Sequence, residues 1–339
     1  MRKLTFLIST LVLLAFSCKK KGNGTEDLPP SNLQVTANVS TDNSGNVQFV
    51  ATATNAVSYE YGFGNGVFQT VSSGTVTYKY PASGTYTVTV TARSAGGQTV
   101  STSIQVTVTV TLTLVWSDEF DAPGAPNPSK WGYDLGAGGW GNNEVQYYTN
   151  RLDNAVVSGG TLKIILKKET FSGSPYTSAR LLSKDKYSFK YGKIEARAKL
   201  PAGGGTWPAI WMLGNNIGSV SWPACGEIDI MEHVGNSLNK IYGTVHYPGA
   251  SGGSAIGGTV NISNVSTEFH LYAVEWTPSS IKFQVDGVTF FTFTNAPALP
   301  FNQNFFIILN IAMGGNFGGA IDPAFTESQM EIDYVRVYQ

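Results

Sequence analysis

The chain has 339 residues, room for one large domain or two ordinary ones, and only 13% of them are charged. A net charge of -1 without a basic excess argues against nucleic acid as a partner. Gly, Ser, Thr, Asn and Tyr take the place of the missing charges, a surface chemistry suited to a neutral, polar, ring-shaped ligand such as a sugar.

The N-terminus, "MRKLTFLISTLVLLAFSCKK", has Arg2 and Lys3, then an apolar stretch to Phe16. Residues 1–17 read as a secretory signal peptide, too short for a membrane-spanning helix. Cys18 after Ser17 resembles the lipidated cysteine of bacterial lipoproteins, although Ala15 and Phe16 depart from that pattern. The resemblance implies lipidation at Cys18, a membrane held through the lipid anchor, and a tether over 18–30. The expected location is the outer membrane or cell surface of a bacterium, otherwise secreted. Cys225 is the only other cysteine. No Cys-His-Asn arrangement marks it as a nucleophile, so it is predicted to be a small buried residue.

From 31 to 110, "LQVTANV", "NVQFVATAT", "GTYTVTVTAR" and "TSIQVTVTV" alternate apolar and polar residues between Gly, Asn and Ser. This predicts a small immunoglobulin-like β-sandwich. "YEYGFGNG" followed by "TYKYPASGTYTVTVTARSAGG" resembles a PKD domain, with no titratable cluster and an expected spacer or contact role. Alternation continues through 103–116, which predicts a last strand running nearly straight into the next domain. Residues 111–339 again read as strands, with no amphipathic helix longer than two turns. In "KIEARAKL", Ile194, Ala196, Ala198 and Leu200 face one way and Lys193, Glu195, Arg197 and Lys199 the other. The chain is therefore all-β, with one large β-sandwich at its C-terminal end.

"GEIDIMEH", 226–233, carries the chemistry. Glu227 and Asp229 share a strand face, whereas Glu232 falls on the other by parity. A β-bulge at Ile230–Met231, with Met231 as the extra residue, would bring Glu232 back beside them. Three carboxylates on one face repel, so packing does not account for the row. Glycosidic hydrolysis does, since it needs a nucleophilic carboxylate and a protonated carboxyl. Asp229 between them would hold the nucleophile and help keep the acid protonated. A solvated acidic strand end is the bland alternative.

"WPACGEIDIMEHVG", with "WSDEFD", "GNNEVQYYT", "SGGTLKI", "YTSARL", "YGKIEARAKLPAGGGTWPAIWML", "FHLYAVEWTP" and "MEIDYVRVY", resembles glycoside hydrolase family 16, in its laminarinase branch. The resemblance runs from about Leu114 to Gln339. It implies a concanavalin A-like β-jelly roll that cuts internal β-1,3-glucosidic bonds with retention, as a monomer and without a catalytic cofactor. Glu227 then corresponds to the nucleophile, Asp229 to its assisting carboxylate and Glu232 to the acid/base. Retention asks for carboxyl groups about 5–5.5 Å apart. Same-face strand residues are about 7 Å apart, so retention rests here on the resemblance. Mixed-linkage β-glucan or an algal galactan are alternative substrates, and a lectin-like glucan binder is the non-enzymatic alternative.

Aromatic platforms for sugar rings are expected at Trp140 and Trp222 in loops, and at Trp207 and Trp211 on one strand face. Trp116, Trp131 and Trp276 are assigned to the core or periphery. The resemblance further implies polar contacts to substrate from Asn142, Glu144, Arg180 and His246, while His233 is read as structural. It also implies a possible structural calcium on the convex face, held by groups matching Glu119, Gly160 and Asp333.

Overall fold

The computed structural model describes residues 28–339; the predicted signal peptide, Cys18 and most of the predicted tether lie outside the described residues. Between Ser31 and Val108 the chain forms a three-stranded and a four-stranded antiparallel sheet. Period-two patterning decides which side is covered: in the strand Gly84–Arg93, Val88, Val90 and Ala92 are fully buried while Thr87 and Thr89 are exposed. Phe49, Tyr61, Phe63 and Tyr80 fill the space between the two sheets.

The predicted continuous strand through 103–116 is interrupted. The strand Thr99–Val108 pairs with Gly84–Arg93, and Leu114–Asp118 pairs with Glu327–Tyr338 in a different sheet. The sequence alternates on both sides of the break, but partners decide sheet membership, and those lie far apart in sequence. Among residues 109–113 the ladder is reduced to a bridge between Ser44 and Val110.

The remaining strands make a sandwich of a ten-stranded and a seven-stranded sheet. Gly192–Lys199 lies centrally in the larger sheet and sends Ile194, Ala196 and Ala198 into the core, as its alternation predicts. The seven-stranded sheet runs in the order Ile256–Asn261, Lys240–His246, Glu227–His233, Thr206–Gly214, Phe305–Met313, Arg180–Leu182, Gly132–Asp134. All nine residues of Phe305–Met313 are buried, which explains the unbroken apolar run "FFIILNIAM" around Asn310. Trp131 and Trp276 are core residues, Trp116 packs against them at the edge, and Cys225 is fully buried. The only α-helices among the described residues, Ile217–Val220 and Gly315–Gly318, have four residues each.

Candidate active site

The strand Glu227–His233 carries the predicted bulge, with one correction. On one side Leu213 pairs with Glu227 and Ala209 with Glu232; on the other His246 pairs with Glu227 and Tyr242 with Glu232. Five steps along this strand thus face four on each neighbour, which restores parity. The residue left unpaired against Thr206–Gly214 is Ile230, not Met231, which pairs with Ile210. Ile230 and Met231 both turn into the core, together with Ile228 and His233. Opposite them stands Gly243, where a Cβ would fall 2.6 Å from the Phe283 ring, so the strand facing the bulge has no room for a side chain there. Glu227, Asp229 and Glu232 consequently share the other face.

Each carboxylate has its own partners. Trp222 Nε1 donates to Glu227 Oε2 at 3.0 Å, and Trp207 Nε1 donates to Glu232 Oε1 at 2.9 Å. His246 Nδ1 accepts the Gly252 N–H at 3.1 Å, which leaves the neutral imidazole's proton on Nε2. That nitrogen lies 3.0 Å from Asp229 Oδ2, off the line of a good hydrogen bond, and 3.6 Å from Glu227 Oε1. Burial pushes the Glu227 carboxyl well above the usual range, and the Asp229 charge pushes it further. Burial and the Glu232 charge do the same for Asp229. Burial also raises Glu232, against which the Trp207 hydrogen bond pulls back. Two neighbours in such a row cannot both ionise easily, so Asp229 and Glu232 together hold a proton to higher pH than an isolated carboxyl would.

Trp140, Trp211 and Arg180 form a second group. The Arg180 guanidinium lies 5.0 Å from the Trp140 ring and 4.8 Å from the Trp211 ring, with Asp134 Oδ2 3.0 Å from its Nε. Trp211 Nε1 donates to Asn310 Oδ1, and Asn310 donates in turn to Tyr148 Oη. The buried Trp140 Nε1 has no protein acceptor among the described residues. Trp222 is the platform most open to solvent, 45% exposed. Trp207 and Trp211 share a face as expected, but their N–H groups serve Glu232 and Asn310.

Asn142 and Glu144, expected to contact substrate, engage each other and their neighbours. Asn142 Nδ2 donates to Glu144 Oε1, while Gln146 Nε2 and Tyr148 Oη donate to Oε2. Burial raises the Glu144 carboxyl, and its backbone bridges to Gly314. These residues brace the loop that carries Trp140. His233 is fully buried, with Nδ1 3.1 Å from the Lys240 carbonyl oxygen, in keeping with a structural role.

The expected calcium ligands lie apart from this face, on the ten-stranded sheet. Glu119 engages Arg336 through both oxygens, at 3.0 and 2.7 Å, and Asp333 Oδ2 meets Arg197 at 2.6 Å. Gly160 sits in the turn between Ala155–Ser158 and Thr161–Phe171, with φ 76°. Guanidinium groups thus engage both Glu119 carboxylate oxygens and one oxygen of Asp333; a calcium ion here would draw on the other Asp333 oxygen and on backbone carbonyls, Gly160 having no side chain to offer. Sequence reasoning also passed over Asp134, Asn310, Tyr148, Tyr242 and Phe317. Of these Phe317 carried a signal, as the one large side chain in the glycine run "GGNFGG", and so did Asn310, as the one polar residue in "FFIILNIAM".

Comparison with known proteins assigns the two sandwiches. Residues 141–336 match the family model for glycosyl hydrolases family 16, and residues 28–110 match that for the PKD domain. A beta-glucanase from Rhodothermus marinus is 48% identical over 242 residues, covering 67% of this chain and 85% of that protein. The structure of the laminarinase from Rhodothermus marinus aligns with a TM-score of 0.65 at 48% identity, over 68% of this chain and 98% of that one. LamA from Z. galactanivorans, solved in complex with laminaritriose and laminaritetraose, aligns with a TM-score of 0.62 at 45% identity, over 67% of this chain and 99% of that one. The chain belongs to glycosyl hydrolases family 16 and is a glycoside hydrolase that carries a PKD domain ahead of its jelly roll.

Proposed function

We propose that the protein is a retaining endo-hydrolase of internal β-1,3-glucosidic bonds in laminarin-type glucans. One observation carries the reading: the bulge that sets Glu227, Asp229 and Glu232 on one face, with an indole N–H donating to each glutamate and His246 beside Asp229. The laminarinase and oligosaccharide-bound relatives supply the substrate class. Glu232, holding the shared proton, gives it to the oxygen of the departing sugar while a Glu227 oxygen attacks the anomeric carbon. Burial and Asp229 favour the protonated form of Glu227, so the anion this step requires depends on the opposing pull of His246, Arg180 and the Trp222 N–H. Water then attacks the glycosyl ester as Glu232 takes up its proton, and Glu227 leaves as a carboxylate. Asp229 separates the two glutamates, with His246 beside it and Glu227. Catalysis runs on these carboxylates without a cofactor.

Product analysis on laminarin, lichenan and agarose side by side tests the substrate. A ladder of oligosaccharides early in laminarin digestion is expected; cleavage of agarose with laminarin untouched would overturn the assignment. We further infer, from residues 1–18 alone, export and anchoring through a lipid on Cys18. Cys18→Ala should release the protein from membranes, and unchanged retention there would refute the anchor.

A further inference from the structure

The Glu232 end of the site lies beneath a layer that belongs to no strand. Three glycine stretches meet there: 203–205, Gly235 and 314–319. A Cβ on Gly235 would fall 1.9 Å from the Gly203 carbonyl oxygen, and one on Gly318 would fall 2.8 Å from that of Gly205. This close-packed backbone delivers one large side chain, Phe317. Its ring meets the Trp207 ring edge-on at 5.4 Å and the Tyr242 ring at 4.9 Å. Those two residues flank Glu232, Trp207 through its hydrogen bond and Tyr242 as register partner. Phe317, itself half-buried, therefore packs on the two residues that flank this half-buried carboxyl.

The loop is tied down on two sides. Asn316 N–H donates to the Asn142 carbonyl at 2.8 Å, and Asn143 Nδ2 to Asn316 Oδ1 at 2.9 Å. On the opposite side Asn236 Nδ2 donates to the carbonyls of Gly318 at 2.7 Å and Ala320 at 2.8 Å. Asn236 is itself exposed, so its replacement removes these bonds without opening the core.

We infer that Asn236 is a positioning residue for Glu232, clamping the Gly314–Gly319 loop so that Phe317 keeps water from the carboxyl. This rests on the assignment of Glu232 as acid/base. Burial is the first cause of the raised Glu232 carboxyl, so a lifted Phe317 returns it toward ordinary acidity. The titratable groups around it stay in place: Glu227 and Asp229 on its own strand, and His246 and its register partner Tyr242 on the next.

The test measures kcat/KM against pH for laminarin in the full chain with Asn236→Ala, Phe317→Ala and Phe317→Leu, each checked by circular dichroism. The first two should move the alkaline limb to lower pH, with activity at neutral pH down about tenfold or more and activity at the acid end nearly kept. Phe317→Leu, which preserves an apolar cover, should restore the wild-type profile. A uniform loss at every pH, an unmoved limb or a limb moved to higher pH would overturn the inference. Glu232→Gln is measured alongside: if it keeps wild-type turnover, the acid/base assignment has failed rather than the clamp.

Discussion

Ile228 and Ile230 offer a comparison in which size and burial are matched and only register differs. Both are isoleucines on the strand Glu227–His233, and they are 0% and 1% exposed. Deleting either removes one fully buried aliphatic side chain, a loss of about 2–5 kcal/mol if the cavity closes only partly. The Ile228 deletion carries a further cost, because it also turns a carboxyl inward, so turnover is compared only between proteins shown to be folded. Ile230 is the residue without a partner on Thr206–Gly214, so its deletion leaves plain alternation and all three carboxylates on the active face. Ile228 pairs with Met212 on one side and Val245 on the other, and deleting it turns Glu227 toward the core. Release of reducing ends from laminarin is the assay, with circular dichroism and thermal melts on both proteins. The Ile230 deletion should keep hydrolysis within about 10²-fold of wild type, since the bulge also bends the sheet. The Ile228 deletion should lose about 10³-fold or more, because members of one catalytic unit fail together. An active Ile228 deletion beside a folded, inactive Ile230 deletion would refute the register argument.

Glu227→Gln should abolish turnover, keep oligosaccharide binding and raise Tm near neutral pH. The Glu227 pKa is raised in the fold, so its stabilising contribution is present below the unfolded pKa and lost as pH rises through the folded one; the Tm gain should therefore vanish in acid, and a gain that grows there would contradict this. Trp207→Phe removes the donor that favours ionised Glu232, so the alkaline limb of kcat/KM should move to higher pH, opposite to the Phe317→Ala shift. A downward shift would mean that Trp207 acts by cover alone. Trp222→Ala in the Glu227→Gln background should weaken laminarioligosaccharide binding by about 1–3 kcal/mol in titration calorimetry, and an unaltered affinity would remove Trp222 from the sugar platforms.

Much of the sandwich was legible because one face of each strand is buried: "KIEARAKL" places Ile194, Ala196 and Ala198 in the core by alternation alone. The break at 109–113 was not legible, since alternation says nothing about which distant strand will pair. The need for a bulge followed from the five-residue spacing between Glu227 and Glu232. Which residue it leaves unpaired depends on the registers with Thr206–Gly214 and Lys240–His246, which one strand's sequence does not contain. Asn142 and Glu144 were read as substrate contacts, and a sequence cannot show that Asn142, Gln146 and Tyr148 also all donate to Glu144. The Arg336 and Arg197 partners of Glu119 and Asp333 were hidden in the same way.

The central claim is that Glu227 forms the covalent bond. A β-1,3-linked disaccharide fluoride with fluorine at C2 slows both steps but hydrolysis of the ester more, so a retaining enzyme accumulates the adduct. Intact-mass spectrometry followed by peptide mapping of the inactivated protein reads out the bond directly. The account predicts one glycosyl adduct on the peptide containing "GEIDIMEH", with fragmentation placing it on Glu227. An adduct on Asp229 or Glu232, or turnover of the probe with inversion at the anomeric carbon and no adduct, would contradict it.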